Sequence, residues 1–313
     1  MGYADLKNDV VFRKVFGQHP RVLVGLLNDL LEREGDRAIV HVDYLPSEQA
    51  PLLPGLKLSI LDVRCRERGG AVFVVEMQVL PVTGFLNRVV FNACKAYVGT
   101  LERGKRYDTL TDVVAVSICD FTLWPDAERD AAALPAVPLV SRWSMTERLS
   151  GARGLGQVQY VFMELPKLGD HVPGTANERW AALFSSAPEL APESMASVPL
   201  TDAQREALEL AREETFTAQE RDAIERSTEE VDQVRRTVLA EAAQAQERGH
   251  REGRREGNLT ARRSVLLMLL EAAEIEVSPS DRAQIEGCDE LAMLDAWIRR
   301  ARTATSREDV FGG

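Results

Sequence analysis

The chain has 313 residues, of which 45% are hydrophobic and 28% charged, and its formal net charge is −11. Such a composition fits a globular chain with one sizeable domain and an accessory one. It holds no run of eighteen apolar residues and no apolar N-terminal segment, so neither a membrane-spanning helix nor a secretory leader is expected, and the cytoplasm is the expected location.

Residues 1–125 carry 15 basic and 15 acidic side chains, so the whole acidic excess lies beyond them. Charge alone therefore gives no support for a nucleic-acid partner, although it leaves room for a local basic groove in the first half. Cys65, Cys94, Cys119 and Cys288 show no Cys-x-x-Cys spacing, and the four histidines form no pair at helical spacing. Neither a disulfide framework nor a zinc site is expected. Phosphate-cradling and dinucleotide-binding glycine motifs are absent, so no organic cofactor is expected.

In chain order, residues 5–16 predict a short helix with Phe12 and Phe16 on one face, closed by Gly17. Asp5 and Asp9 fall on a shared face of it. They serve either the positive end of the helix dipole or a neighbouring site, and Asp9 is the better candidate for the second role. Pro20 opens a second helix with Val22, Leu23, Leu26, Leu27 and Leu30 as its apolar face, ending by Gly35. A strand over about 38–46 and a proline-rich loop to Gly55 follow.

The stretch Lys57–Val79, KLSILDVRCRERGGAVFVVEMQV, predicts a hairpin around Gly69. Its second arm is apolar on both faces, as in a strand buried at mid-sheet, yet it runs into Glu76, and the first arm carries Asp62. If the turn centres on Gly69, Asp62 faces Glu76, with Gln78 on the same side as Glu76. Directly opposed Cβ atoms lie about 5 Å apart. Two carboxylates so placed repel unless a cation sits between them or arginines such as Arg64 or Arg88 pair with each. Hard oxygen ligands on a small rigid site suit Mg²⁺.

A helix over 83–103 comes next and presents Arg88 and Lys95, followed by an apolar strand over Thr111–Phe121. The crossover through that helix predicts that the flanking strands run parallel. Residues 122–156 read as irregular, and 157–165 as a further strand at or near the sheet edge. A small helix around Trp180 ends the expected 1–200 domain. The 201–258 stretch reads as a charged helical linker, and 259–313 as a small helical domain with stripes at 265–270 and 289–302. These C-terminal helices are candidates for binding a partner or a second copy of the chain.

Asp62, then Glu76 and a polar residue two further on, sit in a hydrophobic hairpin that resembles the PD-(D/E)XK nuclease superfamily. LKNDVVFRKVFG, LLNDLL, VVEMQV and FLNRVVFNACKAYVGTLERGKRYDTLTDVVAVSICDF are similar to the recombination-promoting nuclease and transposase family within it. The resemblance implies a restriction-endonuclease-like α/β core of order α-β-β-β-α-β, a mixed central sheet flanked by helices, followed by a helical C-terminal region. It also implies Mg²⁺-dependent hydrolysis of DNA phosphodiester bonds by Asp62, Glu76 and Gln78. Asp62, Glu76 and the Met77 carbonyl would be the metal ligands. Gln78 stands where Lys is usual in the superfamily, so a cation from Lys57, Arg88 or Lys95 is a candidate replacement, and Asp9 a candidate accessory acid. The alternative is a non-catalytic nuclease fold that binds DNA or protein.

Overall fold

In a computed structural model of the protein, residues 2–49, 59–101, 104–125, 135–170, 172–189 and 199–312 are described. The chain divides into two compact units, Met1–Gln233 and Val234–Gly313. No helix among the described residues is long and apolar enough to cross a membrane.

The first unit is a mixed six-stranded sheet between helices. Helix α1 (Asp9–Gly17) begins where the Asn8 side chain accepts the Val10 N–H at 3.0 Å. It starts later than the spacing predicts, because Asp5 instead accepts the Lys7 N–H at 2.9 Å ahead of the helix. Asp5 and Asp9 therefore do not share a helical face. Helix α2 (Pro20–Leu31) starts on Pro20 and closes on Glu32, whose left-handed backbone (φ 50°) turns the Arg33 N–H back onto the Asn28 carbonyl at 2.9 Å, before Gly35.

The strands are β1 (Val42–Tyr44), β2 (Glu48–Gln49), β3 (Ser59–Ile60), β4 (Val63–Glu67), β5 (Val72–Gln78), β6 (Val113–Cys119), β7 (Val140–Met145) and β8 (Leu155–Glu164). The main sheet has the order β1-β4-β5-β6-β8-β7, while β2 and β3 form a separate pair. As the crossover rule requires, β5 and β6 are parallel, joined through helix α3 (Phe85–Val98); β6 and β8 are parallel too. Strand β6 (VVAVSIC) is buried throughout, as expected of an apolar strand with neighbours on both sides.

Two expectations are corrected. The 38–46 strand shrinks to the three residues of β1 at the sheet edge. The 122–156 segment is not irregular throughout, because β7 forms the opposite edge, antiparallel to β8. Its polar composition hides it. Only Val140 and Ser141 are buried, and Arg142 sends its Nε–H to the Leu30 carbonyl at 2.8 Å.

Side-chain alternation along β5 sorts the core into two layers. Phe73 and Val75 join Phe12, Phe16, Leu23, Leu27 and Trp180 on the face covered by α1, α2 and helix α4 (Ala176–Ser186). Phe16 sits 5.5 Å from Phe184 and 5.9 Å from Trp180, ring centre to ring centre. Val72 and Val74 join Phe85, Val89, Ala93 and Ala96 on the face covered by α3. Glu76 continues this second row.

The first unit runs past residue 200. Helix α5 (Asp202–Leu210) lies so close to α2 that a Cβ on Gly25 would come 2.2 Å from the Ala203 Cβ. Helix α6 (Ala218–Ala272) then runs unbroken from the charged stretch into VLLMLL. In the second unit its end packs with α7 (Pro279–Glu286), α8 (Leu291–Ala301) and α9 (Arg307–Phe311) around Leu266, Leu270, Ile285, Leu294 and Trp297. Arg307 grips the buried Asp281 there with two bonds of 2.6 and 2.7 Å.

Candidate active site

The hairpin has the predicted register. Val63 pairs with Val75, Arg64 with Val74, Cys65 with Phe73 and Arg66 with Val72, so one more step sets Asp62 against Glu76. That step is where the ladder breaks. Alternation would give the Met77 N–H to the Leu61 carbonyl, but Leu61 turns away and its N–H bonds the Ser47 carbonyl at 3.1 Å. The Asp62 carboxylate takes the vacated place and accepts the Met77 N–H on Oδ2 at 2.8 Å. The end of β4 thereby fixes Asp62 at the mouth of the sheet. The Met77 carbonyl, on the same strand edge as its N–H, opens on the gap left by β4.

Glu76 is 8% exposed. Its Oε1 accepts from Asn92 Nδ2 at 2.9 Å, and its Oε2 lies 3.9 Å from Arg88. Arg88 and Asn92 are four residues apart on α3 and so share a face. Arg88 also donates to Gln78 Oε1, while Gln78 Nε2 donates to the Leu80 carbonyl at 2.8 Å. Both ends of the Gln78 amide are therefore engaged. On the α1 side, Arg13 lies 3.4 Å from Asp62 Oδ1. Each carboxylate thus has one oxygen held by a neutral donor and one facing an arginine, which is hydrogen-bonded to Asp62 at 3.4 Å and lies 3.9 Å from Glu76.

Burial is the main cause that holds both carboxyls above their ordinary values. For Asp62, the Met77 N–H and Arg13 pull the other way and Asp9 adds to the rise. For Glu76, Arg88 and then Asn92 oppose the rise, while Asp62 adds to it. The two acids interact, and their arginines do not fully offset burial. Of the two arginines that the spacing offers as partners, Arg88 reaches Glu76 and Arg64 reaches neither acid; Arg13 takes its place at Asp62.

Asp9 stands on α1 with Oδ1 accepting from Ser227 at 2.5 Å. Lys95 lies on α3 beyond Asn92, buried, with its ammonium 5.8 Å from the Phe91 ring centre. Lys57 lies outside the described residues. Sequence reading misses Arg13, Asn92 and a Lys7–Asp120 pair at 3.2 Å, where Asp120 follows β6 and its N–H bonds the Gln78 carbonyl at 2.9 Å. Asn92 leaves a signal, being a polar residue in the otherwise apolar stripe of Val89, Ala93 and Ala96.

Among the described residues no three His, Cys, Asp or Glu side chains gather in metal-ligating geometry. The carboxylate set is the pair alone. Mg²⁺ commonly takes one or two carboxylates and completes its shell with water and phosphate, and the opposed, incompletely neutralised pair, Glu76 buried and Asp62 partly buried, fits that habit.

A family model described as PD-(D/E)XK nuclease family transposase matches residues 6–241. No curated protein and no solved structure matches the chain significantly.

Proposed function

The chain belongs to the PD-(D/E)XK nuclease family transposases, and from that membership and the opposed Asp62–Glu76 pair we propose a Mg²⁺-dependent DNA endonuclease that hydrolyses phosphodiester bonds in recombination or mobile-element biology. The observation that carries this reading is the energetic one. Burying two facing carboxylates is costly, and a cation between them is the economical reason to keep both. Asp62 and Glu76 would hold the ion, with the Met77 carbonyl as a third donor. When bound, the ion supplies charge to the scissile phosphate and lowers the pKa of a bound water.

The chain's own residues do the rest. Met77 N–H and Asn92 fix the rotation of the two carboxylates. Arg88 stands beside Glu76 and supplies the positive charge that the superfamily's lysine would bring, and Gln78 serves to hold Arg88 instead of orienting water directly. Arg88→Ala is expected to lower kcat about 10- to 100-fold, the usual effect of removing a group that supports metal ligands, with part restored by Arg88→Lys. Equal kcat in wild type and Arg88→Ala would remove Arg88 from the mechanism.

The deciding experiment is plasmid nicking with Mg²⁺ by wild type, Asp62→Ala and Glu76→Ala, purified identically and checked for folding by circular dichroism. Nicking by wild type alone is the expected result. Equal nicking by all three marks a contaminant, and no nicking by any leaves the non-catalytic binding module as the reading.

A further inference from the structure

The other end of the α3 face carries a second constellation. Arg64 and Arg66 are two apart on β4 and so point to one side of the sheet. Arg66 and Lys105 line a pocket of about 430 Å³ with Thr109, Thr111 and the end of α3 at Gly99. The Arg64 guanidinium lies behind Gly99, its Nη2 3.9 Å from where a Cβ on that residue would stand. Arg64 Nε and Thr111 Oγ1 are buried without a hydrogen-bond partner, a costly state for either.

Glu67 pairs with Arg33 at 3.1 Å and Asp108 with Arg106 at 3.2 Å, and no ion pair reaches Arg66 or Lys105 among the described residues. Crowding by Arg66 adds to burial in holding Arg64 below the usual arginine range. Three cations without a counter-charge among the described residues, in a chain of net charge −11, call for an anion. Tyr107 stands between Lys105 and Thr109 in the sequence, 82% exposed. An exposed aromatic two residues from both Lys105 and Thr109, which line the basic pocket, is what a nucleic-acid strand uses, with phosphate on the cations and a base on the ring.

We infer that the Arg66–Lys105 pocket is a second phosphate site, which takes a backbone phosphate of a nucleic-acid strand while Tyr107 stacks on an adjoining base. It deepens the DNA reading above by adding a substrate contact outside the cleavage centre. Arg66 pairs with Val72, four residues from Glu76, so the pocket lies about 13 Å along β5 from the carboxylates.

The test is fluorescence anisotropy with a labelled single-stranded oligonucleotide in EDTA, where no cleavage occurs. Wild type is compared with Arg66→Ala/Lys105→Ala and with Tyr107→Ala, all changes at exposed positions. The double variant should weaken binding about tenfold or more at 0.1 M salt and flatten the dependence of log K on log salt by about 0.7, one phosphate's worth on a single strand. Tyr107→Ala should weaken binding at least about fivefold with the salt slope unchanged. Equal affinity and slope in wild type and double variant overturn the proposal. If affinity for the oligonucleotide is equal but wild type alone binds inorganic phosphate by calorimetry, the pocket serves free phosphate and the strand assignment falls. Because cleavage is not read, a nicking-negative protein that gives the expected slopes refutes the nuclease reading and leaves this site standing.

Discussion

Glu76→Gln and Asp62→Asn are each expected to lose plasmid nicking by about a thousandfold and yet, in chelator, to unfold at a higher temperature than the parent protein. The first half follows from the ion's share of transition-state charge, about 4 kcal/mol at 1.36 kcal/mol per decade of rate. The second follows from burial. Each carboxyl sits above its ordinary value chiefly because it is desolvated, so its charged form destabilises the fold at neutral pH. A neutral amide of the same shape keeps the bond from Met77 N–H to residue 62, or from Asn92 to residue 76, and removes the cost of the charge. Thermal unfolding in EDTA, run beside the nicking assay, checks both halves. A lower melting temperature in both amide variants would mean that the carboxylates are structural partners of Arg13 and Arg88, and the stability argument for a cation would fail.

Much of this site is legible in the sequence alone. The turn at Gly69 fixes the register of the β4–β5 hairpin, and one residue of slip would send Asp62 and Glu76 to different faces. The parallel pairing of β5 with β6 follows from chain connectivity. What stays hidden depends on contacts between distant segments. Arg13 reaches Asp62 only because α1 packs across the sheet end, and no local pattern announces that. Edge strand β7 escapes because all of it beyond Val140 and Ser141 is exposed, so the alternation that marks a strand is diluted by polar residues. The start of α1 is ambiguous because Asn8, not Asp5, wins the cap; both are good capping residues, and sequence does not rank them. Asn92 is visible as a misfit in an apolar stripe, but its meaning requires knowing which side chain lies beneath it.

Addition of Mg²⁺ is expected to raise the melting temperature of the parent protein by about 5–10 °C at a concentration a hundred times its dissociation constant. That corresponds to about 2.7 kcal/mol of linkage for a unit of this size. The dependence on pH carries the diagnosis, because two opposite trends meet at the same pair. Without the ion, a carboxyl raised in the folded state stabilises the fold only while protonated. Its contribution is complete below the ordinary values of 3.8 for Asp62 and 4.5 for Glu76, and it is lost as pH rises through the higher folded values. With the ion the sign reverses, since a carboxylate must lose its proton to ligate. The gap between the Mg²⁺ and EDTA melting temperatures should therefore widen from pH 5 to pH 7.5. Glu76→Gln should flatten the gap, while a change of an exposed acid in the second unit, such as Glu286→Gln, should leave it intact. A gap that is independent of pH, or that survives in Glu76→Gln, would place the ion on the acidic surface and remove it from the Asp62–Glu76 centre. The trend expected at that centre is the thermodynamic image of its geometry, in which strand register holds two acids together and the shared cation we propose offsets what their arginines leave uncompensated.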